Sequence, residues 1–212
     1  MMRHYFKRIF YLFIAIASSS SYSGVYEDFF QAVGRDDGST VARLVQRGFD
    51  PNSRSPEGQT ALHLALRDQS PRVVQALWSS PALDIDAVNA SGETPLMMAA
   101  LRGELEWARR LLERGVKVHQ AGWSPLHYAA TGNEPRIVAL LLDRGAPIDA
   151  RSPNGTTPLM MAARYGAEAG VDFLLARGAD KQLRNDLDLD ARAFAKLARR
   201  EYLDARLQAP AR

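Results

Sequence analysis

The sequence predicts an all-α fold, a solenoid of helix-turn-helix units stacked in one row. Three observations carry this. A four-residue helix start recurs as Thr60-Ala61-Leu62-His63, Thr94-Pro95-Leu96-Met97, Ser124-Pro125-Leu126-His127 and Thr157-Pro158-Leu159-Met160, at intervals of 34, 30 and 33 residues. A glycine stands two positions before each start, at Gly58, Gly92, Gly122 and Gly155. After each start comes an Ala-containing helix and then a second apolar helix, marked by Val73-Val74 with Leu77-Trp78, Trp107 with Leu111-Leu112, Ile137-Val138 with Leu141-Leu142 and Val171 with Leu174-Leu175. Self-similarity at this period is the signature of a repeat architecture.

Each element of the unit has a physical reason. Thr or Ser at the cap accepts a backbone N–H, and Pro at the first helical position has no N–H to leave unpaired and a φ already suited to a helix. The pairs Ala99-Ala100, Ala129-Ala130 and Ala162-Ala163 let neighbouring helices approach closely, and the Leu pairs of the second helices fill the layer between units. Gly103 and Gly166 suit a left-handed turn between the two helices, with Asn133 at that place in the third full unit. Pro71 and Pro135 open second helices, and Gly115, Gly145 and Gly178 end them. One unit cannot bury its own apolar face, so stacking supplies the stability and the end units must be more polar outside.

On these residues the chain resembles the ankyrin-repeat family, in an exported bacterial type. The resemblance divides the chain into a signal peptide over 1–23, an N-terminal capping repeat over 24–54, four repeats over 55–181, and a C-terminal capping repeat with a basic helix over 182–212. Leu44-Val45-Gln46-Arg47-Gly48 matches the end of a second helix, and Asp190-Ala191-Arg192-Ala193-Phe194-Ala195 replaces the helix start in the last unit. It implies short β-hairpin loops between units, and a structural use for His63 and His127 as hydrogen-bonding partners of neighbouring backbone. It also implies a concave ligand face. The variable hairpin position, filled by Gln59, Glu93, Trp123 and Thr156, projects onto that face, and Arg67, Leu101, Arg102, Thr131, Arg164 and Tyr165 line it from the first helices.

Departures from the pattern point to where function sits. The unit ending Trp78-Ser79-Ser80-Pro81-Ala82 has one extra residue and no glycine. Gly115 to Ser124 is nine residues, where Gly48 to Thr60 and Gly145 to Thr157 are twelve, so this hairpin must be clipped or collapsed beside Trp123. Trp123 then either anchors a partner or plugs the clipped hairpin. Asp188 stands where the last hairpin should have glycine, which puts that hairpin in doubt.

Composition bounds the function. With 212 residues, 46% hydrophobic and 24% charged, the chain can bury a core and is neither collagenous nor a polytopic membrane protein. The absence of cysteine removes disulfide scaffolds, thiol catalysis and Cys-ligated zinc. The formal charge of +3 comes from Arg3, Lys7 and Arg8, and the remainder balances 24 basic against 24 acidic residues. Such a balance gives little drive toward a polyanion, so no nucleic-acid partner is expected. Residues 24–100 hold 6 basic and 10 acidic side chains, residues 101–212 hold 18 and 14, and six basic ones fall between Arg192 and Arg212. A solvated helix face explains that cluster, with an acidic docking partner as the alternative.

The first 23 residues order a basic segment, the apolar run Ile9 to Ala17, and a small polar stretch from Ser18, as a secretory signal peptide does. Nine apolar residues fall well short of the roughly 20 needed to span a bilayer. Cleavage before Gly24 or after Ala17 would leave no stable membrane span, whereas an uncleaved leader would be an anchor. The 23 Arg against 4 Lys fit a GC-rich bacterial genome, which would make the compartment the periplasm or outside the cell.

No chemistry advertises itself. No pair of histidines has metal-ligand spacing, no Gly-rich phosphate loop exists, and Ser124 near His127 is a cap rather than a nucleophile with its base. Asp186, Asp188 and Asp190 lack the Gly and Glu of a calcium loop and read as helix-capping residues. Trp78, Trp107 and the Met97-Met98 and Met160-Met161 pairs read as packing. The sequence therefore predicts a monomeric, non-enzymatic scaffold without cofactor or metal, binding a protein partner through Trp123, Arg102, Leu101, Glu93, Gln59, Arg67, Arg164 and Tyr165. The alternatives are an immunity or inhibitor protein for a toxin or periplasmic enzyme, and a membrane-tethered organiser.

Overall fold

The computed structural model describes residues 24–208; the leader over 1–23, its cleavage site, and Arg212 at the basic end lie outside them. Twelve helices follow one another: α1 over 24–34, α2 Gly38–Gln46, α3 Ala61–Arg67, α4 Pro71–Trp78, α5 Pro95–Arg102, α6 Leu105–Glu113, α7 Pro125–Thr131, α8 Pro135–Asp143, α9 Pro158–Tyr165, α10 Glu168–Ala176, α11 Ala191–Leu197 and, after a 3-10 turn at Glu201–Leu203, α12 Asp204–Gln208. The inner helices α3, α5, α7, α9 and α11 stack in sequence, and α2 with α4, α6 with α8 and α8 with α10 make the outer row. This is the all-α solenoid that the spacing predicts. The core is continuous along the row, with Leu62, Leu96, Leu126 and Leu159 at no more than 1% exposure and the Ala pairs between inner helices equally buried.

Helix starts are built as expected. The hydroxyls of Thr60, Thr94 and Thr157 accept N–H bonds from His63, Met97 and Met160. His63 and His127 do two jobs at once. Nε2 donates to the Glu93 carbonyl (2.9 Å) and the Thr156 carbonyl (3.0 Å) of the next unit, which leaves Nδ1 to accept from the Thr60 and Ser124 hydroxyls. Met97 and Met160 fill the same position with a sulfur that accepts the cap N–H at 3.4 Å but has nothing to donate onward.

The loops between units are tight turns rather than strands; a single bridge pairs Arg54 with Thr60 among the described residues. Their tips close by backbone bonds from Ser55 to Gln59, Asn89 to Glu93, Ser152 to Thr156 and Asn185 to Leu189. The last of these settles the doubtful hairpin: Asp188 takes the left-handed conformation at φ 59 in place of glycine, and Arg184 pairs with its carboxylate.

The turns inside the units correct one expectation. Gly103 is left-handed, at φ 72, but Gly166 is extended at φ −82 and Asn133 is not left-handed either. Gly166 is needed for space, because a Cβ there would meet the Ala130 carbonyl oxygen at 2.1 Å.

At the C-terminal end, α12 folds back and buries Leu203 and Leu207. Arg192 pairs with Asp204, Arg206 reaches Glu168 and Asp172 on α10, and Arg200 donates to the Ala162 and Ala163 carbonyls at the end of α9. Three of the basic side chains there are thus tied to the fold. On the outer row, Trp78 and Trp107 meet edge to face at 5.5 Å, with Arg110 over both rings and Arg114 over Trp78, closing the helix end that lacks a glycine.

Candidate partner-binding groove

A groove opens where the repeat pattern is broken twice. Seven and eight positions after each cap come Arg67-Asp68 at the end of α3, Leu101-Arg102 on α5, Thr131-Gly132 at the end of α7 and Arg164-Tyr165 on α9. The α7 pair is small between bulky neighbours, and the loop that should overhang it is the clipped one. The result is a notch of about 490 Å³ lined by Leu101, Trp123, His127, Tyr128, Thr131, Met161 and Tyr165.

Trp123 stands at the mouth on a loop held in an unusual way. The backbone bond that closes the other tips is missing here, and Met97 cannot supply the donor that a histidine would give to the Trp123 carbonyl. Gln120 substitutes for both: its Nε2 donates to the Trp123 carbonyl (3.1 Å) and to the Gly92 carbonyl (2.8 Å). The Trp123 ring is half-buried and meets His127 edge to face, with centroids 5.3 Å apart. Gln120 fills the clipped loop, so the indole is left to line the groove.

The floor is fixed and uncharged. His127 is fully buried, and burial holds its pKa below the usual imidazole range, so it is neutral at pH 7. Tyr128 donates its hydroxyl to Glu93 Oε1 at 2.7 Å; burial and that carboxylate push the phenol above its ordinary value. The other Glu93 oxygen accepts from Asn89 Nδ2, which also donates to Gln59 Oε1, both at 2.8 Å.

The structure therefore sorts the eight candidates. Leu101, Trp123 and Tyr165 converge on the groove with Thr131. Arg102 and Arg164 are not among its lining residues: Arg102 reaches Gln69 Oε1 at 3.4 Å and Arg164 lies over the Tyr165 ring at 5.0 Å. Gln59 and Glu93 are spent on the network that holds Tyr128. Arg67 lies a unit away and pairs with Asp68 at 2.8 Å. Sequence reasoning missed Tyr128 and Met161 and gave His127 a structural role alone. Tyr128 shares its position with Leu64, Met98 and Met161, which read as packing; the usable signal was the coincidence of a short loop with the small Thr131-Gly132 pair. Among the described residues no group of three or more His, Asp or Glu is placed to hold a metal ion.

Comparison with known proteins agrees with the repeat fold. The family model for ankyrin repeats (3 copies) matches residues 29–121 and 116–185. The B-cell lymphoma 3 protein homolog of Mus musculus is 36% identical over 152 residues, covering 68% of this chain and 34% of its own length. The neurogenic locus notch homolog protein 4 of Homo sapiens is 38% identical over 148 residues, covering 62% of this chain and 7% of its own length. The human SH3 and multiple ankyrin repeat domains protein 2 is 34% identical over 151 residues, or 68% of this chain and 8% of its own. The chain thus spans about a third of the first relative and less than a tenth of the other two.

Proposed function

The chain belongs to the ankyrin-repeat family, a family of protein-interaction modules, and we propose that it is a non-enzymatic scaffold that holds a protein partner in the groove over α7. The observation that carries this is the apolar notch itself. Tyr165 is 56% exposed, Leu101 37%, and Trp123 half-buried, around a floor whose polar groups are already hydrogen-bonded. Rigid aromatic side chains around an apolar pocket are what protein–protein hot spots are made of. A partner protein presents the protruding side chain that such a notch fits.

The meeting place we propose is outside the cytoplasm, in the periplasm or the medium, with the chain acting as a monomer. The support is the order of residues 1–23, basic then apolar then small and polar. No helix among the described residues is long and apolar enough to cross a membrane.

Affinity capture from the native host's soluble fraction, run with the chain and with Trp123→Ala, tests the scaffold reading. A stoichiometric protein should be retained by the chain and lost by the variant, with about 2 kcal/mol or more of binding removed and the unfolding midpoint nearly unchanged. A partner kept equally by both would defeat it. N-terminal sequencing of the mature protein should begin near Gly24; recovery of intact Met1 or Met2 from membranes would show the leader to be an anchor.

A further inference from the structure

The groove is flanked in sequence by two arginines. Arg102 follows Leu101 on α5 and Arg164 precedes Tyr165 on α9, so an arginine is next in sequence to each of two side chains that line the notch. Neither forms an ion pair with a carboxylate among the described residues. Arg102 has only the 3.4 Å contact to the Gln69 amide, and Arg164 lies over the rings of Tyr165 and Phe194. Arg67 is the contrast: at the position of Leu101 and Arg164 on its own helix, it is neutralised by Asp68. Glu93, bonded to the lining residue Tyr128, has both oxygens occupied by Tyr128 and Asn89. Arginines free of carboxylates are well suited to paired, charge-assisted bonds with an incoming one.

We propose that the occupant is a protein segment carrying a large apolar side chain with an acidic residue on either side. This rests on the groove reading above. The apolar side chain fills the notch over Thr131, and the two carboxylates meet Arg102 and Arg164. Spacing follows from the stack. With neighbouring helices about 8–10 Å apart, α5 and α9 are separated by roughly 16–20 Å. An extended chain covers about 3.3 Å per residue, so the two acids fall about five or six positions apart with the apolar anchor midway.

The test is selection of a random 12-residue peptide library on the full chain, followed by dissociation constants for synthetic copies of the enriched peptides. Enriched sequences should share Leu, Phe, Trp or Tyr with Asp or Glu two or three positions away on both sides. Thr131→Arg should weaken them at least tenfold by filling the notch. The fold accepts arginine there, because Arg67 and Arg164 occupy the same position on α3 and α9. Arg102→Glu with Arg164→Glu should also weaken binding at least tenfold, and peptides with Lys in place of the acids should recover it. Binding that ignores Thr131→Arg overturns the groove as well as its occupant. Binding that is lost with Thr131→Arg but indifferent to charge reversal, or enrichment of basic peptides, leaves the groove and overturns the acidic partner. Failure to enrich any peptide, or displacement of the peptides by a 12-nucleotide oligodeoxythymidine, overturns the proposal.

Discussion

Gly166→Ala isolates what holds the third and fourth full units together. The backbone at Gly166, φ −82 and ψ 176, suits any residue, so conformational strain is not the issue. Space is. The new Cβ would lie 2.1 Å from the Ala130 carbonyl oxygen and 3.0 Å from Ala162 Cα. Ordinary carbon–oxygen contacts begin near about 3.3 Å, so α7 and α9 would have to part by roughly an ångström. Overfilling a packed interface costs about 1–3 kcal/mol, and the obstacle here is backbone, so about 3 kcal/mol is expected. For a chain of this size that is a fall in Tm of about 6–12 °C. Gly170→Ala is the matched control. It sits in α10 with nothing within 4 Å of a new Cβ, and should gain about 0.5–1 kcal/mol by losing the glycine's freedom in the unfolded chain. Urea unfolding followed by circular dichroism and by tryptophan fluorescence adds a positional readout. Trp78, Trp107 and Trp123 all precede the weakened joint, so the helical signal should fall before the fluorescence does, as the C-terminal units detach from the row. A Gly166→Ala melting point within 2 °C of the parent, on the order of a ΔΔG below 1 kcal/mol, would refute the steric reasoning.

Three further outcomes follow from the groove and its supports. Gln120→Ala removes two hydrogen bonds to backbone carbonyls and should cost about 1–2 kcal/mol in urea unfolding, with Trp123 emission shifted to the red as its loop opens; an unshifted spectrum would show that the loop is held otherwise. Tyr128→Phe and Glu93→Gln should couple in a double-mutant cycle by about 0.5–1.5 kcal/mol, whereas additive effects would mean that the hydroxyl–carboxylate bond contributes nothing. His63 and His127 are both held below the usual imidazole pKa, chiefly by burial. The unfolded chain therefore binds more protons than the folded one below the unfolded value, so stability is flat above pH about 6.5 and declines as pH drops beneath it. His63→Met with His127→Met, the residue that the other two units already use, should flatten that decline between pH 6.5 and 5; an unchanged slope would place the titrating groups elsewhere.

The helices of the repeat unit were legible because their signals are local. A cap and a proline at one helix start, an Ala pair, a Leu pair: each acts within a few residues, and four copies in phase leave no competing reading. The groove was legible in part. The clipped loop and Trp123 could be seen from spacing alone, as could Leu101 and Tyr165, because the repeat fixes which positions face inward. Glu93 and Gln59 also face inward, yet the Glu93 carboxylate is taken up by Tyr128 and the Gln59 amide by Asn89, each from the following unit. That depends on contacts across about 30 residues of chain, which no local rule reaches. Gly166 failed for the same reason: its value lies in the distance to Ala130 of the preceding unit, not in its own torsion.

The exchange of histidine for methionine at position 97 ties the packing to the function. In the units that start with His63 and His127, the imidazole reaches across and fixes the next loop by its carbonyl. Met97 cannot, so the loop that follows, which is also the shortened one, hangs on the Gln120 side chain in place of a ring and a backbone bond. One half-buried side chain is a weaker tether than a fully buried imidazole, and loosely tied loops are the first to open. Trp123 therefore rides on a tip tied through Gln120, while His127 and Tyr128 beneath it are held by hydrogen bonds to Thr156 and Glu93. In the complex proposed above, a groove with a fixed floor and one adjustable wall would close by moving a single loop, leaving the stack of inner helices in place.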